Sequence, residues 1–136
     1  MTALRLLESS LYVDDLARAG RFYRDVLALT PMLEDRRMIA FDCGDARVLL
    51  LFERGAARQP LHLPGGDIPA HDGSGPLHVA FGVAADDLAG WEARLPACGV
   101  AIEARMTWPR GGQSLYFRDP DGHLLEIATP GLWPNY

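Results

Sequence analysis

Glu8, His78 and Glu126 are the side chains of this sequence whose types and spacing suit a divalent cation. Two carboxylates and one imidazole balance the charge and fill half of an octahedron, leaving positions for water or for two adjacent oxygens of a substrate. Negative charge growing on such an oxygen is stabilised by Lewis acidity, and a carboxylate displaced from the ion, Glu126 or Glu8, becomes the candidate base. A set this rich in oxygen departs from the two-histidine, one-carboxylate triad of non-haem iron oxygenases. One Mn²⁺, Mg²⁺, Zn²⁺ or Ni²⁺ is therefore expected ahead of Fe²⁺, and isomerase, lyase or group-transfer chemistry ahead of dioxygenation.

These positions stand out because the chain repeats itself. Leu7 to Leu16 lies over Leu77 to Leu88, both a strand running into an acidic helix cap, and Glu8 falls on His78. Phe41 to Leu51 lies over Phe117 to Ile127, and Leu50 falls on Glu126. Two copies related by a pseudo-two-fold axis would bring Glu8, Leu50, His78 and Glu126 together. Taken singly, each has a plainer reading. A histidine opening an apolar strand is ordinarily structural, and Glu126, between Leu125 and Ile127 on an alternating strand, could face solvent from an outer surface.

The elements that must position these residues follow from pattern. Arg5 to Val13 reads as a strand, and Asp14 or Asp15 caps a helix to about Leu27 whose apolar face is Leu16, Ala19, Phe22, Tyr23, Val26 and Leu27. Strands are expected near Thr30 to Leu33, Arg37 to Asp42 and Ala46 to Phe52, with Gly44-Asp45 as the last turn. Residues 53–76 show no period and read as a linker. The second copy gives a strand His78 to Val83, a helix capped by Asp86 or Asp87 with Leu88, Trp91, Leu95 and Cys98 on one face, and Gly99 as its stop. Pro96 predicts a kink or an early end. Strands Ala101 to Arg105, Gln113 to Arg118 and His123 to Ala128 complete it, the last two joined by the turn Asp119-Pro120-Asp121-Gly122.

The strand plus Val13-Asp14-Asp15-Leu16, the Arg21-Phe22-Tyr23-Arg24-Asp25-Val26-Leu27 helix, the His78-Val79-Ala80-Phe81 strand and the hairpin from Phe117 to Glu126 together resemble the vicinal oxygen chelate superfamily. That group contains glyoxalase I, fosfomycin- and bleomycin-resistance proteins, methylmalonyl-CoA epimerase and extradiol dioxygenases. The resemblance implies an α+β fold of two pseudo-symmetric βαβββ modules forming a metal-binding cleft. Module one spans about 4–54, the linker about 55–76 and module two about 77–130 of a single 1–136 domain. It implies ligation by Glu8, His78 and Glu126, with Leu50 standing where glyoxalase I has a fourth ligand. It also implies a homodimer in which Glu8 of one chain reaches a metal held by His78 and Glu126 of its partner. The function expected is that of a divalent-metal-dependent, glyoxalase-like lyase or isomerase acting on a small molecule with adjacent oxygens. The alternatives are a metal-free, drug- or ligand-sequestering protein of the bleomycin-resistance type, and an extradiol-type dioxygenase.

Further site candidates are weaker. Trp108-Pro109-Arg110-Gly111-Gly112 reads as a flexible loop carrying Trp108 and Arg110 to the cleft mouth, where Arg110 suits a substrate carboxylate or phosphate, and Tyr116 is a candidate cleft wall. Tyr12 and Phe81 could also form walls, though strand pattern alone puts all three in the core. His62 and His71 fall in the linker, where His71-Asp72 could fold over the cleft, and His123 reads as a hairpin residue. The aromatic tail Pro130 to Tyr136 suits covering a cleft, packing on a partner or closing the core.

The bulk composition excludes some classes. With 13 basic against 18 acidic residues and no basic run, neither nucleic acid nor an anionic membrane surface is an expected partner. No apolar stretch approaches the ~20 residues of a membrane span, and Met1 to Glu8 lacks the core of a signal peptide. Cys43 and Cys98, one per half, suit reduced thiols in a cytoplasmic setting, with a bridge as the alternative.

Overall fold

Alternation along the strands decides which face packs on a helix and which is left open. On β4 (Val48–Glu53) Leu49 and Leu51 are buried, whereas Val48 and Leu50 are only half-buried. The computed structural model describes residues 1–136, which divide into two units, Met1–Gly75 and Pro76–Tyr136.

The first unit runs β1 (Glu8–Val13), α1 (Leu16–Asp25), β2 (Thr30–Glu34), β3 (Met38–Asp42) and β4, with sheet order β1-β4-β3-β2. β1 and β4 are parallel and the other pairings antiparallel. Leu11, Val13, Ile39, Phe41, Leu49 and Leu51 turn one face toward Ala19 and Tyr23 of α1 and form the core. Asp15 starts the helix by accepting the Arg18 N–H at 2.9 Å. The β3–β4 turn places Gly44 at φ +75°, and Asp45 and Ala46 are left-handed as well.

The second unit repeats the plan: β7 (His78–Gly82), a 3₁₀ turn (Ala85–Asp87), α2 (Leu88–Ala97), β8 (Ala104–Thr107), β9 (Gln113–Arg118) and β10 (Leu124–Ala128), in sheet order β7-β10-β9-β8. This is the α+β pair of βαβββ modules that the repeat predicts. The register agrees residue by residue. Glu8 pairs with Val48 and His78 with Leu124, so Leu50 and Glu126, each two residues further on, hold equivalent places.

Several sequence expectations need correction. β1 begins at Glu8, not Arg5, with Arg5, Leu6 and Leu7 exposed. α1 ends at Asp25, with Val26 as its cap. β8 begins at Ala104, not Ala101, because the Val100 N–H bonds back to Leu95 and holds the chain at the helix end. Neither Asp86 nor Asp87 caps α2 by its side chain; both lie in the 3₁₀ turn. Of the expected α2 face, Leu88 and Leu95 are buried, but Trp91 is half-buried near Arg94 and Cys98 is exposed. α2 passes through Pro96 and stops one residue later, where Gly99 takes φ +77°.

The stretch between the repeats contains a hairpin, β5 (Leu61–Leu63) and β6 (Gly66–Ile68), in which Leu61 faces Ile68. Strands of three residues are too short to show a period. The tail folds back on its own unit, with the Tyr136 hydroxyl donating to the Ala128 carbonyl at 3.0 Å. His123 is fully buried, its Nδ1 accepting the Leu77 N–H at 2.9 Å, which gives it a structural role. Cys43 and Cys98 are both free thiols. Neither helix is long and apolar enough to cross a membrane.

Candidate metal centre

β7 and β10 run parallel with Ala80 opposite Glu126, so His78 and Glu126 lie diagonally on one face of the sheet. His78 Nε2 is 3.3 Å from Glu126 Oε2. His78 Nδ1 lies 2.8 Å from the Leu124 carbonyl oxygen. A carbonyl only accepts, so Nδ1 carries the hydrogen and a neutral ring presents its lone pair at Nε2, toward the carboxylate. Two electron-rich atoms meeting at that distance suit a cation taking both as neighbouring ligands. A histidine whose other nitrogen is tied to a backbone carbonyl is the usual posture of a metal ligand.

Glu126 is 4% exposed, which corrects the solvent-facing reading. Its Oε1 accepts the hydroxyl of Ser114 at 2.6 Å, and that oxygen accepts the Trp108 indole N–H at 2.8 Å. Oε1 is thus engaged within the unit and Oε2 is directed to His78. Tyr116 pairs with Glu126 across the β9–β10 ladder. Burial, followed by the charge of Glu126, raises its phenol above the ordinary range, so it stays a proton donor.

Not every residue chosen from sequence joins this cluster. His78, Trp108, Tyr116 and Glu126 do, all within the second unit. Arg110 is exposed at the tip of the β8–β9 turn and joins none of these contacts. That turn is not a free loop either. A Cβ on Gly112 would meet the Gly131 carbonyl carbon at 2.6 Å, so the loop is packed against the tail. Ser114 was not singled out from sequence. Its signal is parity, since it lies two residues from Tyr116 on the strand that faces Glu126.

Glu8 opens β1 in the first unit and is exposed. With Ser10 and Tyr12 it lines one side of an open cleft of about 840 Å³, whose floor includes Leu50 and Phe52 and whose rim includes Leu61 and Ile68 of the hairpin. His71 also lines it, bonded to the Tyr12 hydroxyl at 2.8 Å, whereas Asp72 pairs with Arg58 and His62 with Asp67. Phe81 is half-buried in β7. No three His, Cys, Asp or Glu side chains gather within the chain as a complete metal-holding group.

The family profile described as Glyoxalase/Bleomycin resistance protein/Dioxygenase superfamily matches residues 5–127. The chain belongs to that superfamily. Among characterised relatives it is similar to the glutathione transferase FosA of Serratia marcescens, 34% identical over 90% of this chain and 79% of that protein. It is also similar to the metallothiol transferase FosB of Bacillus licheniformis, 28% identical over 89% of this chain and 72% of that one. The crystal structure of lactoylglutathione lyase from Agrobacterium tumefaciens superposes with a TM-score of 0.88 at 32% identity, covering 98% of this chain and 99% of that one.

Proposed function

We propose that this protein is a divalent-metal-dependent enzyme acting on a small molecule with adjacent oxygens, its ion held by His78, Glu126 and Glu8. The observation that carries this reading is the His78–Glu126 pair, with Nδ1 tied to Leu124 and Nε2 directed at Oε2 at 3.3 Å. Mn²⁺, Mg²⁺, Zn²⁺ or Ni²⁺ suits the oxygen-rich donor set better than Fe²⁺. Such an ion supplies Lewis acidity toward negative charge developing on a substrate oxygen.

The chain's own groups divide the remaining work. Ser114 and Trp108 fix the Glu126 carboxylate, so that one oxygen is held and the other is presented. Tyr116, kept protonated, is placed to donate a hydrogen bond to a bound oxygen. The Glu8 carboxylate serves as third ligand or, when displaced, as the base that takes a substrate proton. His78 and Glu126 make only two ligands together, which supports a homodimer in which Glu8 of one chain completes the site of its partner. The names of the three relatives all refer to a thiol or glutathione, and we extend that class to this chain as co-substrate, in group transfer or lyase chemistry. The free thiols of Cys43 and Cys98 agree with a cytoplasmic setting.

Metal analysis tests this reading. Protein purified without chelator is expected to hold about one divalent ion per chain, and His78→Ala and Glu126→Gln to lose it. Absence of metal, together with no thermal stabilisation on adding Mn²⁺, Zn²⁺ or Ni²⁺, would sink it. That outcome would leave the metal-free binding protein, a reading favoured by the mainly apolar lining of the first unit's cleft.

A further inference from the structure

Tyr12, Phe52 and His71 meet at the end of the first unit's cleft that lies away from Glu8. Along β1, Leu11 and Val13 are buried toward α1, so Glu8, Ser10 and Tyr12 share the opposite, open face. Register sets Leu50 beside Ser10 and Phe52 beside Tyr12 on that face. The His71 ring lies there too, its centroid 4.6 Å from that of Phe52 and 5.8 Å from that of Tyr12. Glu8 and Tyr12 are four residues apart on one strand, ~13 Å at ~3.3 Å per residue, with Ser10 and Leu50 between them.

The segment carrying His71 is held in place. The His71 N–H donates to the Ala57 carbonyl at 2.9 Å, Asp72 accepts from Arg58 Nε at 2.7 Å, and a Cβ on Gly73 would overlap the Tyr12 ring. The Tyr12 hydroxyl lies 2.8 Å from His71 Nδ1. Burial, followed by the charge of Asp72, raises the Tyr12 phenol, so it keeps its proton. A phenol is the better acid and a neutral imidazole nitrogen the better base, so the hydroxyl donates and the ring hydrogen sits on Nε2. Nε2 itself has no hydrogen-bond partner in the chain and is not sealed off, on a half-buried residue that lines the cleft. One directed N–H therefore stands beside the apolar surface of Phe52 and Leu50. The neighbouring charges suit a neutral acceptor better than an anion, because Arg58 is paired with Asp72 and Arg54 with Asp14.

We propose that His71 is a recognition residue of this cleft, donating from Nε2 to a neutral acceptor oxygen, such as a carbonyl, of a ligand whose apolar body lies over Phe52 and Leu50 and whose other end runs toward Glu8. This deepens the enzyme reading by naming the non-reacting part of its substrate. It rests on that reading only for what happens at the Glu8 end.

A matched pair of compounds tests it. 2-Acetylnaphthalene and 2-ethylnaphthalene share one apolar body, and only the first carries an acceptor oxygen. Both are titrated as competitors of the fluorescent dye N-phenyl-1-naphthylamine, which the wild-type protein is expected to bind and to release to either compound. His71→Phe, which keeps a ring against Phe52, is expected to weaken the ketone about three- to tenfold, the worth of one neutral hydrogen bond, and to leave the hydrocarbon within about twofold. Leu50→Glu, a change in the floor, is expected to weaken both. No dye binding or displacement in wild type, equal effects of His71→Phe on the two compounds, or compounds indifferent to Leu50→Glu would each overturn the proposal. A second measurement uses the wild-type fold alone. Proton–nitrogen correlation spectra of the four imidazoles, with His71 identified by its loss in His71→Phe, are expected to show its hydrogen on Nε2, and a hydrogen on Nδ1 instead would overturn the proposal. Metal content measured on the same proteins keeps the two readings apart. Ketone selectivity lost from His71→Phe at unchanged metal content supports the assignment, whereas wild type without metal overturns the enzyme reading and leaves His71 to be decided by the two naphthalenes.

Discussion

Ser114→Ala is the most searching single perturbation of the second unit. The side chain is 1% exposed and does two things at once. It donates to Glu126 Oε1 at 2.6 Å and accepts the Trp108 indole N–H at 2.8 Å. Removing a hydrogen bond to a carboxylate costs about 1.5–3 kcal/mol, and a neutral one about 0.5–1.5 kcal/mol. Trp108 is half-buried and partly recovers its bond from water, so the lower part of the second range applies. The expected loss is about 2–4 kcal/mol in urea unfolding of metal-free protein followed by circular dichroism, with the m-value unchanged. Trp108→Phe removes only the outer bond and is expected to cost about 0.5–1.5 kcal/mol. Because the residues share one network, the double variant should fall short of the sum of the singles. A Ser114→Ala loss below about 0.5 kcal/mol, typical of a surface change, would refute the reasoning.

Other predictions rest on separate features. Asp15→Ala removes the α1 cap and should cost about 1 kcal/mol by the same unfolding assay, with Asp15→Asn nearly neutral. Gly112→Ala should destabilise strongly, since the new methyl on the β8–β9 loop meets backbone atoms of Gly131 in the tail; an unchanged melting temperature would contradict the packing. The Glu103 carboxylate accepts from Arg118 Nε at 2.7 Å, and this bond holds its pKa below the usual carboxylate range. A depressed folded pKa gives stability that is present above the unfolded value of about 4.3 and lost as pH falls through the folded value. The urea midpoint of Glu103→Gln should therefore lack part of the acid decline seen in wild type between those values.

How much of this was legible in the sequence depends on the length of each signal. The two modules were readable because Asp14-Asp15 and Asp86-Asp87 mark matching strand ends, and because the Asp119–Gly122 turn fixes the last hairpin. Strand register then followed, which is why Leu50 and Glu126 do hold equivalent places. Strand starts were misjudged by three residues at β1 and β8, where apolar composition continues past the last ladder bond. The β5–β6 hairpin was invisible at three residues per strand. Of the candidate site, pattern could set His78 and Glu126 on one face, but not the burial of Glu126 or the Trp108–Ser114 support beneath it. Those depend on cross-strand contacts between residues whose types are unremarkable in sequence.

The central claim is that a divalent ion is bound by His78 Nε2 and Glu126 Oε2. Anomalous diffraction from crystals grown with Mn²⁺ tests it most directly. The account predicts one peak per chain bonded to both atoms, with Ser114 still on Oε1 and a Glu8 carboxylate as a further ligand. A map without an anomalous peak there, in which His78 Nε2 and Glu126 Oε2 stay in direct contact with no ion between them, would contradict it.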